Sequence, residues 1–379
     1  MAKSNYIASL RQVATSMLLP VAFLTQAVHL AQAQIDCNAK EFVVKTQEDA
    51  NSLSSCSYFH GTVYISDNAE GDIIIDGLNA VGGRFRTLSG GSSRLTSISS
   101  PSLTLVGAEF SATYMNQLRS IKFPKLEKVV GGVYIMGVPE LVEADFGALV
   151  EIGGDFTIQR AEKFATFPIN AGTGNILTNG DAAVRITDSG FRSLGRIFQG
   201  SVINEALLSN LPNLHEMSLD VVKANEIVIE GNGNLTMYMN GSMKWYPRGE
   251  INFLNVTGVR AIQPCDWPTV GELIITSNPM EHLRFEASGL KSLTVQNNPQ
   301  LKSLWPTRRG FPRVLTDVII THNPQLKLST ISSGPDPLSG LREKCEQSDD
   351  RDEREDQWSW PYESMRMINI SADIDGDFL

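Results

Sequence analysis

The residues of this 379-residue chain whose types could do chemistry are few: four cysteines, five histidines and four Asn-x-Ser/Thr sequons. Cys37, Cys56, Cys265 and Cys345 form an even set, which behind a secretion signal implies disulfides with three connectivities. Their positions favour Cys37 with Cys56, bracketing one end, and Cys265 with Cys345 near the other. A metal site at Cys37 and Cys56 fails for want of further ligands at the right spacing, His60 alone being too little. His29, His60, His215, His282 and His322 are scattered, and neither Gly-x-Ser-x-Gly nor His-Glu-x-x-His occurs. Gly172 and Gly174 lack the Gly-Lys-Ser/Thr of a phosphate loop. Asp373, Asp375 and Asp377 imitate a calcium loop, but Gly376 is misplaced and the closing glutamate is missing. No motif implies a cofactor or a resident metal, and the expectation is a chain that is not an enzyme.

The sequons point to modification instead. Asn234-Leu-Thr, Asn240-Gly-Ser and Asn255-Val-Thr fall within 22 residues (234–255), and Asn369-Ile-Ser stands near the end. A glycan cannot be buried. Alternation therefore puts Leu235, Met237 and Met239 inward and the asparagines outward. The same stretch holds Tyr238, Met243, Trp245 and Tyr246, which would make either a platform for sugar rings or a packed coil edge.

The elements that must position these residues are repeats. From Gly107 to Gly154 two copies agree position by position: Leu118 falls on Leu141, Ile121 on Ala144, Phe123 on Phe146, Leu126 on Leu149 and Val129 on Ile152. A copy opening at Gly82-Gly83 supplies Leu95, Ile98, Leu103 and Val106 at the same offsets. The period of about 22 to 25 residues is that of a stacked-coil solenoid, whose coils bury their apolar edges only against each other. Each coil opens on glycine and runs through a short alternating strand, so the class is mainly β, a right-handed parallel β-helix or leucine-rich-like solenoid. Late coils share Ser277-Asn278-Pro279, Asn297-Asn298-Pro299 and His322-Asn323-Pro324, read as structural turns where the strand leaves the sheet. Capping helices are expected from Thr46 through Leu53 and from Leu338 to Lys344.

The ends differ in character. Residues 1–33 read as a signal peptide, with Lys3 and Arg11, an apolar run from Met17 to Leu24, and Ala31-Gln32-Ala33 before the cut. Removing them takes the formal charge from −10 to −12, which excludes a basic nucleic-acid footprint. No later segment is long and apolar enough for stable membrane insertion. The solenoid then covers 34–345, either as one array or as two lobes, 34–165 and 180–345. Residues 346–379 carry eleven acids against Arg351, Arg354 and Arg366, and read as a disordered acidic tail.

A cysteine, an alternating strand, a helix ending in Leu53-Ser-Ser-Cys56, then Gly61-Thr-Val-Tyr-Ile and Gly-Gly coils with Phe123-Pro-Lys-Leu126 together resemble the receptor L-domain. That fold forms ligand-binding lobes of growth-factor receptor ectodomains. The iterated Leu-x-Ser-Ile-x-Phe-Pro-Lys-Leu phrase is more similar still to fungal GPI-anchored cell-wall proteins of the sporulation-specific and extracellular-matrix type. The resemblance implies a secreted, non-catalytic protein of cell-wall or cell-surface organisation that acts through binding. Its implied partners are cell-wall polysaccharide, mannoprotein or a surface protein. A receptor-like ectodomain capturing a peptide or glycan is the alternative, and a carbohydrate-active β-helix enzyme a third. An extracellular or wall location is expected. Because 371–379 offers no terminal apolar run, attachment through a GPI signal in this chain is not expected, unless the tail stands in place of one.

Overall fold

This computed structural model describes residues 35–88, 93–167, 177, 179–195, 197–240, 249–286, 289–307, 314–327 and 366–371. The expected signal peptide and the second capping helix lie outside them. Within Ile35–Leu379 the chain is a parallel β-solenoid. Its main sheet has fifteen strands. Fourteen follow one another across the sheet: β1 (Glu41–Val44), β3 (Thr62–Ile65), β6 (Phe85–Thr87), β9 (Phe110–Thr113), β12 (Val133–Met136), β15 (Phe156–Ala161), β16 (Ala183–Ser189), β17 (Ser201–Ser209), β19 (Val221–Asn240), β20 (Glu250–Asp266), β21 (Thr269–Thr276), β23 (Ser292–Gln296), β25 (Asp317–Thr321) and β26 (Met367–Ile370). The fifteenth, β18 (Glu216–Leu219), pairs with β19 off this path.

A second face holds β4 (Glu70–Ile74), β7 (Arg94–Ser99), β10 (Ser120–Lys122) and β13 (Glu143–Asp145). A third carries β2 (Tyr58–Phe59), β5 (Ala80–Val81), β8 (Leu105–Val106), β11 (Lys128–Val129) and β14 (Glu151–Ile152). Later coils add β22 (His282–Glu286) and β24 (Ser303–Thr307).

The repeat alignment is the strand register. Ile121 pairs with Ala144 and Val129 with Ile152, as the sequence overlay requires. Leu118, Phe123, Leu126 and their counterparts Leu141, Phe146 and Leu149 are fully buried. Stacking brings like over like: the Phe85 and Phe110 rings lie 5.6 Å apart and near-parallel, and Phe146 stands edge-on to Phe110 at 5.3 Å.

The glycine openings have a steric cause. A Cβ at Gly107 would collide with the Gly82 carbonyl oxygen, and one at Gly153 with that of Val130. Each coil's backbone passes directly over the previous one there, which leaves no room for a side chain.

One end is closed as expected. Helix α1 (Gln47–Leu53) is N-capped by Thr46, with Asp49 completing a capping box, and buries Ala50 and Leu53. Cys37 and Cys56 are bonded, with Cα atoms 5.7 Å apart. The Gln47 side chain acts as a strand residue would: its amide donates to the Ile74 carbonyl at 2.7 Å and accepts from the Ile74 N–H at 2.8 Å. It thereby closes the free edge of β4.

Three features of the array are not set out in the sequence reading. The main sheet runs unbroken through β15, β16 and β17, so the described strands before residue 165 and after residue 180 belong to one sheet. Within the segment expected as a disordered tail, Met367–Ile370 forms β26 and pairs parallel with β25. Where the repeat pattern implies one short strand per coil, β19 and β20 run to 20 and 17 residues and turn a corner through register shifts near Leu235.

The Asn-Pro turns form a buried ladder, in keeping with their structural reading. Asn278, Asn298 and Asn323 are at most 1% exposed. Each Nδ2 reaches back to strand carbonyls: Asn278 to Val256 and Thr276, Asn298 to Ile275 and Gln296, Asn323 to Val295 and Thr321. The Oδ1 of Asn298 accepts the Asn278 N–H, and that of Asn323 accepts the Asn298 N–H. Every coil turn is thus tied to the next inside the core.

Candidate functional site

Alternation along the main-sheet strands leaves one row of side chains outward between two buried rows. In the first half this row reads Tyr64, Arg86, Ser111, Tyr134, Thr157, Arg185. It carries a polar relay. The Tyr134 hydroxyl donates to Asp155 Oδ2 at 3.3 Å, Asp155 Oδ1 accepts the Ala183 N–H at 2.9 Å, and Arg185 pairs with Glu205. Partial burial, reinforced by the Asp155 charge, raises the Tyr134 hydroxyl above its ordinary pKa, so it stays a donor. In the second half the row turns mostly aliphatic, with Leu207, Val228, Ile274 and Ile319 half-buried and Asn255 and Thr294 among them.

Past this face the chain leaves the sheet through a left-handed corner, occupied by register-equivalent residues of neighbouring coils. Tyr114, Gly137, Arg160, Asp188 and Asn210 are one run, with φ between 50° and 63°. Gly258, Ser277, Asn297 and His322 continue the series in later coils. Glycine adopts this conformation freely and Asn or Asp with little strain, whereas a bulky L residue costs about 1–2 kcal/mol. Tyr114 and Arg160 are therefore unexpected. The Arg160 guanidinium carbon lies 5.3 Å from the Tyr114 ring centroid, a cation–π contact of about 0.5–1 kcal/mol that offsets only part of the strain. A Cβ at Gly137 would stand 2.9 Å from the Tyr114 ring, so the intervening coil must be glycine for the ring to lie there. Tyr114 is nonetheless 43% exposed. Two coils on, Asn210 Nδ2 donates to Asp188 Oδ1 at 2.6 Å. Just beyond, an open cleft is lined by Arg192, Ser193, Asn213, His215 and Glu216.

The sequence-derived candidates are dispersed. Asn234 is exposed at the corner of β19, its N–H held by Asn232, whose amide donates to the Leu211, Pro212 and Leu214 carbonyls. Leu235, Met237 and Met239 point into the core. Asn255 is half-buried on the outer face, with Oδ1 buried and unpartnered, and Asn369 is exposed in the same row on β26. Backbone pairing puts Asn240 opposite Asp266 at the end of β19. Cys265 lies in β20, but Cys345 falls outside the described residues, as do Met243, Trp245 and Tyr246.

Two arrangements bear on catalysis. Glu205 and Glu226 are cross-strand neighbours, an acidic pair on adjacent coils, but Glu205 is engaged by Arg185. His282 Nδ1 lies 2.7 Å from Ser303 Oγ, with Glu281 4.0 Å from the other ring nitrogen. Ser303 is only 4% exposed, and Lys302 holds the Glu281 carboxylate at 2.8 Å. Among the described residues no cluster of three or more His, Cys, Asp or Glu could hold a metal, and no helix is long and apolar enough to cross a membrane.

Comparison with known proteins gives two fungal relatives. The chain is 31% identical over 136 residues to Protein ecm33 of Aspergillus fumigatus, covering 35% of this chain and 33% of that one. It is 27% identical over 190 residues to Cell wall protein ecm33 of Schizosaccharomyces pombe, covering 48% and 44%. The chain thus matches less than half the length of either curated relative. No protein-family model and no solved structure matches it.

Proposed function

We propose that this protein is a secreted fungal cell-wall organisation protein that works by binding rather than by catalysis. The similarity to two ecm33 proteins, one named a cell wall protein, carries this reading. The fold supports it physically. A solenoid repeats its outward rows once per coil, about 4.8 Å apart, and so offers an extended polymer a matching series of contacts. The partner class is wall polysaccharide or mannoprotein. Capture of a peptide or glycan by a receptor-like ectodomain is the second reading, favoured by the aliphatic row from Leu207 to Ile319.

Retention of the purified chain on isolated wall glucan, chitin and mannoprotein tests the proposal. Binding to at least one, with no change in the polymer's chain length, is expected. Release of soluble sugars from any of them, or retention on none, would contradict it.

A further inference from the structure

The corner ridge from Tyr114 to Asn210 combines an exposed aromatic ring with planar hydrogen-bonding groups in one straight row. Other coils place Gly258, Ser277, Asn297 or His322 at this corner, and this run keeps Tyr114 and Arg160 there despite left-handed backbone. Strain retained at exposed side chains marks positions held for something other than folding. The Tyr114 ring, 43% exposed beside the Arg160 guanidinium, offers an apolar surface of the size of a pyranose ring. Arg160 offers a fork of N–H donors, and Asp188 with Asn210 offers acceptors and donors set for neighbouring hydroxyls.

The charges of Arg160 and Asp188 cancel, so the row suits an uncharged ligand rather than an anionic polymer or a basic peptide. It holds no apolar pocket for a peptide side chain. Its members repeat at the coil spacing, about 4.8 Å, which is close to one hexose along an extended chain. The cleft at Arg192, Asn213 and His215 lies on the same two coils as Asp188 and Asn210, beside the end of the row rather than beyond it.

We propose that Tyr114, Arg160, Asp188 and Asn210 bind a linear neutral polysaccharide lying along the solenoid axis, Tyr114 stacking on one sugar ring and the others bonding hydroxyls of successive sugars further along the chain. This rests on the wall-binding reading and names its ligand class and contact row.

The test uses full-length chain and calorimetry with soluble β-glucan, chitin and α-mannan oligosaccharides. Tyr114→Gly and Arg160→Gly suit the corner's backbone, so unfolding midpoints should stay level or rise. Each should weaken binding by at least about tenfold, while Tyr114→Phe stays within about threefold. Glycine variants that bind like the parent, or a parent that binds none of the three sugars, overturn the ridge. Retention on isolated walls separates the two ideas. A parent and glycine variants held equally by walls keep the wall reading and sink the ridge. A parent that binds oligosaccharide through Tyr114 yet leaves walls untouched keeps the ridge and sinks the wall reading.

Discussion

The backbone N–H of Asn278 donates to the side-chain oxygen of Asn298, one coil away, at 2.9 Å. That bond is one step of a ladder in which each asparagine satisfies backbone groups of its own coil and of its neighbours. Asn298→Ala removes three donor contacts and the acceptor for Asn278 at a site with no access to water. A loss of about 2–4 kcal/mol in urea unfolding is expected. A change under about 0.5 kcal/mol would mean that the ladder is decoration.

Gly153→Ala drives a methyl into the Val130 carbonyl of the coil beneath. Backbone cannot swing aside as a side chain can, so about 1–3 kcal/mol should be lost. Gly147, which faces only the flexible Asp145 carboxylate, is the control, and its alanine variant should fall within about 0.5 kcal/mol of the parent. Equal effects at the two positions would refute the stacking explanation.

Replacing Cys37 and Cys56 with alanine opens a bond spanning 19 residues and should cost about 3 kcal/mol. Because coils contact only their neighbours, the damage should be local. Hydrogen exchange should quicken in β1 and α1 and stay unchanged in β20 and β21. Uniform loss of protection would show that the array unfolds as a single cooperative block.

Acid should destabilise the fold through carboxylates on adjacent coils. Bonds from Ser97 and Thr96 hold Asp72 below its ordinary value, Lys163 does so for Glu140, Lys122 for Glu143 and Lys302 for Glu281. Their folded pKa values lie under the unfolded ones, so their contribution is complete above the carboxylate range and disappears as pH falls below about 4. Asp220, raised by burial, acts in the opposite sense across that range. All but Asp220 are exposed, so each effect is small. The urea midpoint should fall between pH 4.5 and pH 3. A rising midpoint would give Asp220 the larger say.

Asn234 stands exposed at the bend within β19, its N–H held by Asn232, and should carry a glycan in protein secreted by a fungal host. Glycosidase treatment in heavy water followed by mass spectrometry would mark it. An unmodified Asn234 beside a modified Asn255 would reverse the order that exposure predicts.

Much of the coil register was legible because Phe123 and Phe146, or Val129 and Ile152, recur at fixed offsets, and stacking turns equal offsets into pairing. The Asn-Pro turns were legible for a similar reason, since an asparagine before proline has few other uses. The corner ridge was not. Tyr114, Arg160 and Asp188 share no residue type, and only the backbone angle they share identifies them as one row. The length of β19 was hidden too, because Gly231-Asn-Gly reads as a turn where the chain instead bends within a strand. The signal that would have exposed the ridge is positional: the residue immediately after each strand's last outward side chain.

Gln47 has a consequence for self-association. By lending its amide to Ile74, it occupies the hydrogen-bonding groups that an incoming strand would need in order to extend β4. A Gln47→Ala chain would expose an open template at that rim, and rim templates seed fibrils. One carboxamide thus acts as a chain terminator for that sheet, written in a side chain.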